Sequence, residues 1–80
     1  MEIVTVYSYT SESVRIVLKD LRKKRGLSQT DVAKKLSCTK GYVSQIENGS
    51  VSIPRYRKLL EFLEIYGVRP KYFEELLSKC

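Results

Sequence analysis

The sequence predicts a small all-α domain of five short helices, preceded by a strand or an arm. After residue 10, apolar residues recur at helical spacing, and residues that typically start or stop helices separate these stretches. The chain has 80 residues, of which 42% are hydrophobic and 30% charged, as expected for one globular domain. We therefore assign residues 1–10 to the N-terminal strand or arm and residues 11–80 to the helical domain.

Residues 1–10 alternate in the manner of a strand and are rich in β-branched and aromatic side chains. No second strand-like segment follows, so a strand here would need a partner outside the chain, such as a symmetric second copy. A frayed arm and an extended segment lying over the helices are the alternatives.

The first predicted helix begins near Ser11 and ends at Gly26, after a basic run whose charges suit a helix C-terminus. Its apolar stripe consists of Val14, Val17, Leu18 and Leu21. The second helix starts at Ser28, where Asp31 completes a capping box. Its buried stripe is Val32, Ala33 and Leu36.

A turn at Ser37-Cys38 leads to Thr39, which we predict as the N-cap of a third helix over residues 40–48. This helix would bury Val43 and Ile46 and end at Asn48-Gly49. Ser37 must then adopt a backbone conformation that glycine adopts more easily. Cys38 would serve as a small apolar plug.

Pro54 is suited to the first position of a fourth helix, which would stop at Gly67. The predicted stripe of this helix is Tyr56, Leu59, Leu60 and Leu63. Pro70 opens a fifth helix with apolar residues Tyr72, Phe73, Leu76 and Leu77.

The net charge of +6 is concentrated in the middle of the chain. Residues 15–58 hold twelve Lys/Arg and three Asp/Glu, giving +9, while the remainder holds three and six, giving −3. The outward face of the third helix lies within this stretch and carries no carboxylate: Lys40, Gly41, Ser44, Gln45 and Asn48. Such a face can enter the DNA major groove, where base edges offer matching donors and acceptors.

Other classes of protein and site find little support. Histidine is absent, and Cys38 and Cys80 form no CxxC pair, so we expect no metal site and no cofactor, with both thiols reduced. No apolar run approaches the ~20 residues needed to span a bilayer, and no signal peptide is recognisable, so we expect a cytoplasmic protein without membrane attachment. An enzyme is disfavoured, because no nucleophile-and-base arrangement or glycine-rich phosphate loop is present.

A set of motifs across residues 14–78 resembles the Cro/CI-type (Xre-like) helix-turn-helix domain, which has the lambda-repressor-like fold. The motifs are Leu21-Arg22, Gly26-Leu27-Ser28-Gln29, Val32-Ala33, Leu36, residues 42–49 and Pro54-Arg55. Two features depart from the family pattern. Gly41 stands where the family often has a long polar side chain, and Ser37-Cys38 stands where relatives often have Gly-Val.

The resemblance implies roles for individual residues. Base edges would be read by Lys40, Gly41, Ser44 and Gln45. Phosphates would be bound by Gln29, Thr39, Tyr42, Asn48 and Arg55. Glu47 would pair with Arg22 and brace the third helix, which is called the reading helix because it would read the bases.

The function implied by the resemblance is a sequence-specific, DNA-binding transcriptional regulator, expected to be a repressor that acts as a homodimer on a palindromic operator. We expect dimerisation through the C-terminal helix around Tyr72, Phe73 and Leu77, through the N-terminal strand, or through both. Two alternatives remain open. One is an antitoxin-type module that binds a toxin and uses DNA for autoregulation, and the other is a restriction–modification controller protein.

Overall fold

The computed structural model describes residues 11–52 and 55–79, which form five α-helices. The helices are α1 (Ser11–Lys24), α2 (Gln29–Leu36), α3 (Lys40–Asn48), α4 (Tyr56–Tyr66) and α5 (Pro70–Leu77). The predicted all-α fold is confirmed. The predicted strand or arm at residues 1–10 lies outside the described residues.

α1 packs against α3, α4 and α5. α2 packs across α3 on one side and against α4 on the other. The apolar stripes of all five helices meet in one core, which consists of Val14, Val17, Leu18, Leu21, Val32, Ala33, Leu36, Val43, Ile46, Leu59, Phe62, Leu63, Tyr66, Phe73 and Leu77.

The boundaries of α2 follow from local hydrogen bonds that the sequence predicts. The Ser28 hydroxyl accepts from the Asp31 N–H at 3.0 Å, and the Asp31 carboxylate accepts from the Ser28 N–H at 2.9 Å. Both hydrogen bonds lower the pKa of Asp31, and the bond from the Ser28 backbone has the larger effect. At its other end α2 stops at Ser37, which has φ +56°, the left-handed conformation expected there.

α3 is bounded as predicted. The Thr39 hydroxyl accepts from the Tyr42 N–H at 3.1 Å, which caps the first turn. Gly49, with φ +85°, ends the helix in the left-handed region that favours glycine. Cys38 is half-buried and packs against the core, in agreement with its predicted role as a plug.

α4 differs from the prediction in its start and in its buried face. The helix begins at Tyr56 with Arg55 at the N-cap, two residues after the predicted start. Phe62 and Tyr66 are buried in addition to Leu59 and Leu63, whereas Tyr56 and Leu60 are half-buried. The wider face arises because α4 packs against three helices, α1, α2 and α5.

α5 also departs from the expectation for its apolar residues. Pro70 occupies its first turn as predicted. Phe73 and Leu77, expected at a dimer surface, instead lie in the core of this same chain, with 0% and 2% of their surface exposed. Of the three residues named for dimerisation, Tyr72 is the one left exposed, at 50%.

Candidate nucleic-acid interface

α3 presents a polar face to solvent and an apolar face to the core. Val43 and Ile46 are buried against α1 and α2, which leaves the opposite side of the helix uncovered. On that side Lys40, Gly41 and Gln45 are exposed, and Ser44 is half-buried at its edge. The helix therefore offers an ammonium, a hydroxyl and an amide to a ligand.

The carboxylate of α3 is turned away from this face by a buried ion pair. Arg22 Nε and Nη2 donate to the two Glu47 carboxylate oxygens at 2.7 and 3.0 Å. The third donor, Arg22 Nη1, reaches the Leu27 carbonyl at 2.8 Å. The hydrogen bond with Glu47 raises the pKa of Arg22, outweighing the opposite effect of burial. Since the side chains are only 10% and 5% exposed, the pair fixes α3 to the end of α1.

Gln29 extends this network to α2. Its Nε2 donates to Glu47 Oε1 at 3.0 Å, so the first residue of α2 and the last turn of α3 share one carboxylate. An amide nitrogen carries two N–H groups, so one donor of Gln29 remains after this bond. Gln29, which is expected to bind phosphate, is thus held in place by the Arg22–Glu47 pair.

Tyr66 lies beside the same network, and sequence reasoning did not identify it. Its hydroxyl is buried and has no hydrogen-bond partner in the described part of the chain. Burial raises the pKa of Tyr66, and the negative charge of Glu47 raises it further by a smaller amount. The phenol therefore stays protonated. The aromatic ring packs near Phe62 in the core.

The other residues named for phosphate binding border the outward face of α3. Thr39 and Asn48 are exposed at its two ends, and Tyr42 is half-buried with its ring against the core. Asn48 Oδ1 accepts from the Ser50 N–H at 2.9 Å, which fixes the orientation of its amide. Arg55 is exposed just before α4, so its side chain is accessible.

Other kinds of site find no support in the described residues. Over residues 11–52 and 55–79, no group of three or more His, Cys, Asp or Glu side chains is arranged to hold a metal ion. Within the same ranges, no helix combines the length and the apolar character needed to cross a bilayer.

Comparison with known proteins supports the interpretation of α2 and α3. A family model described as a helix-turn-helix domain matches residues 14–76. No curated protein matches the chain.

Solved structures of one protein resemble the chain over most of its length. The wild-type restriction-modification controller protein C.Esp1396I superposes with a TM-score of 0.79 at 29% identity, over 86% of this chain and 87% of that one. A tetramer of the same controller protein in complex with its natural 35 base-pair operator matches with a TM-score of 0.77 at 29% identity, over 86% and 90% of the two chains.

Proposed function

Because the chain belongs to the helix-turn-helix domain family, we propose that it is a cytoplasmic transcriptional regulator that binds a specific DNA operator and acts without catalysis. The observation that carries this proposal is the outward face of α3. It is exposed, free of carboxylates and held rigidly by the Arg22–Glu47 pair. A rigid polar helix with these properties is suited to the major groove.

Base recognition is assigned to Lys40, Gly41, Ser44 and Gln45. The amide of Gln45 can form a bidentate pair with adenine, and Lys40 can donate to the acceptors of guanine. Ser44 supplies a hydroxyl at the edge of the face, and Gly41 lets the DNA approach the helix backbone. Lys40 and Gln45 carry most of the discrimination, because they have the longest side chains.

Phosphate binding is assigned to the residues around this face. Gln29 lies at the N-terminus of α2, where free backbone N–H groups favour an anion. Its remaining amide N–H would add one donor. The other phosphate-binding residues are Thr39, Tyr42, Asn48 and Arg55.

The active species would be a homodimer on a palindromic operator, and the regulator would repress by occluding the promoter. Ile16 and Tyr72 are both about half exposed, and they line neighbouring grooves between α1 and α5. The two grooves share Leu21 and Lys24, and contiguous exposed apolar surface is typical of association sites. We therefore propose a dimer contact on α1 and α5 that includes Ile16 and Tyr72, whereas Phe73 and Leu77 belong to the core.

A restriction–modification controller is a specific form of this proposal. It is favoured by the similarity to C.Esp1396I, whose tetramer was crystallised on its own operator. Selection of bound fragments from randomised DNA would yield the operator sequence. A homodimer predicts two inverted half-sites about one helical turn apart.

The double variant Lys40→Ala/Gln45→Ala tests the assignment of base recognition. It should bind the selected operator no better than mixed-sequence DNA, because each lost base contact removes about 1–3 kcal/mol of discrimination. Its salt-sensitive binding to mixed-sequence DNA should persist. Lys35→Ala is the control, since Lys35 lies away from α3, beside Glu61 and Glu64 in a groove between α2 and α4. Equal losses on both DNAs would refute the assignment.

A further inference from the structure

Arg15 lies in the second turn of α1, and its guanidinium packs against the end of α3. A Cβ built on Gly49 would come within 2.9 Å of the guanidinium carbon of Arg15 and 3.0 Å of its Nη1. The absence of a side chain at Gly49 therefore lets Arg15 lie directly beside the C-terminal end of the reading helix. Neither Arg15 nor this contact was identified from the sequence.

The two arginines of α1, Arg15 and Arg22, and Arg25 just after the helix differ in what their guanidinium groups bind. Arg22 donates to both Glu47 carboxylate oxygens and to the Leu27 carbonyl. Arg25 Nε donates to the Tyr66 carbonyl at 2.6 Å. For Arg15, no carboxylate pairs with the guanidinium anywhere in residues 11–52 and 55–79. A guanidinium carries five N–H donors, so Arg15 has donors available for a ligand.

A second donor lies at the same end of α3. Asn48 Oδ1 accepts from the Ser50 N–H, and this bond uses none of the N–H donors of Asn48 Nδ2. Asn48 directly precedes Gly49, the residue against which the Arg15 guanidinium packs. Two donors, one of them cationic, match the oxygens of a phosphate group.

We propose that Arg15 binds a DNA backbone phosphate at the C-terminal end of α3, together with Asn48. This inference rests on the proposed function, and it adds α1 to the elements that contact DNA. A positive charge at a helix C-terminus also stabilises the helix without any ligand. The test must therefore separate a contact with DNA from a purely structural effect.

The salt dependence of DNA binding distinguishes a phosphate contact from a purely structural effect. Binding of Arg15→Gln, Arg15→Lys and the unchanged protein to a mixed-sequence duplex is measured over a range of salt concentrations. Each lost phosphate contact makes the slope of log K against log salt less negative by about 0.9, so the change for a dimer lacking both Arg15 side chains should be about 1.8. Arg15→Lys keeps the charge and should keep most of the slope. Lys35→Gln removes a charge between α2 and α4 and should leave the slope unchanged.

The unchanged protein provides an independent readout that does not depend on how a variant folds. The Nε–H resonance of Arg15 should shift when the duplex is added, while that of Arg25, which is bonded to the Tyr66 carbonyl, should not. Equal slopes for Arg15→Gln and the unchanged protein, or an Arg15 resonance that does not move, would overturn the inference and leave the proposed function intact. If the unchanged protein showed no salt-sensitive DNA binding, the inference and the proposed function would both be overturned.

Discussion

Gly41 lies in the first turn of α3 and is exposed to solvent. A Cβ added there would approach Thr39 Oγ1 at 3.9 Å, an ordinary contact, and would meet no closer atom of the described chain. Unlike Gly49 and Gly67, Gly41 does not have a positive φ. The fold therefore gives no reason for glycine at this position, and a ligand that approaches the backbone closely would supply one.

Gly41→Ala should raise the free energy of unfolding by about 0.5–1 kcal/mol, because alanine loses less backbone entropy in a helix. Its affinity for the selected operator should fall, since the added methyl group would lie between the helix and the DNA. Urea unfolding and operator titration measure the two effects. Unchanged operator affinity would show that DNA does not approach the backbone at this position.

The Arg22–Glu47 pair is the second residue-scale feature on which the interface depends. Glu47→Gln should lower the free energy of unfolding by about 2 kcal/mol, because hydrogen bonds to a charged group are lost in a site that is nearly buried. Glu64→Gln, an exposed carboxylate changed in the same way, should alter stability by less than about 0.5 kcal/mol. Similar unfolding midpoints for the two variants would contradict the bracing role of the pair.

At the scale of elements, the crossing of α2 and α3 sets the position of the reading helix. Ala33 is 3% exposed, and Val32, Val43 and Ile46 fill the surrounding space almost without exposure. The small side chain at Ala33 lets the two helices approach each other. We therefore expect the spacing of α2 and α3 to depend on the volume of the side chain at position 33.

Ala33→Leu should destabilise the protein by about 1–3 kcal/mol through overpacking and should displace α3. Thermal unfolding followed by circular dichroism measures the loss. Lys34→Leu is the matched control, because position 34 is exposed and the same side chain meets no packed neighbour there. A melting temperature for Ala33→Leu equal to that of the control would show that the crossing is not tightly packed.

Local signals allowed most helix ends to be predicted from the sequence. The Ser28–Asp31 capping box, the Thr39 cap and the left-handed Ser37 all involve residues within a few positions of one another. The start of α4 could not be predicted in the same way. Pro54 satisfies the local rule for a first helical position, but the backbone of Arg55 is extended, with ψ 159°, so the helix begins one residue beyond Arg55.

Long-range packing explains the features that the sequence did not predict. Periodicity shows that Phe73 and Leu77 belong to an apolar face, but it does not show whether that face meets the same chain or a second copy. Likewise, Arg15 contacts Gly49, and Arg25 contacts the Tyr66 carbonyl. In each pair the two residues are more than thirty positions apart in the sequence. Such pairs depend on how the helices are arranged.

At the scale of the whole molecule, the proposed DNA contact and the proposed dimer contact use different sides of α1. One side packs on α3, where Arg22 pairs with Glu47 in the last turn of the helix and Arg15 lies against Gly49 just beyond it. The other side borders α5 and presents Ile16 near the groove that Leu76 also lines. A domain of 80 residues buries only roughly 60–65% of its unfolded surface, so association of two copies would add stability as well as pair the reading helices.

Amide chemical-shift mapping of the unchanged protein with its selected operator duplex tests the central claim, that the outward face of α3 enters the DNA. The account predicts that the largest shifts occur at Lys40, Gly41, Ser44 and Gln45, with smaller shifts at the N-terminus of α2. Large shifts confined to α4 and α5, with α3 unchanged at saturating DNA, would contradict it.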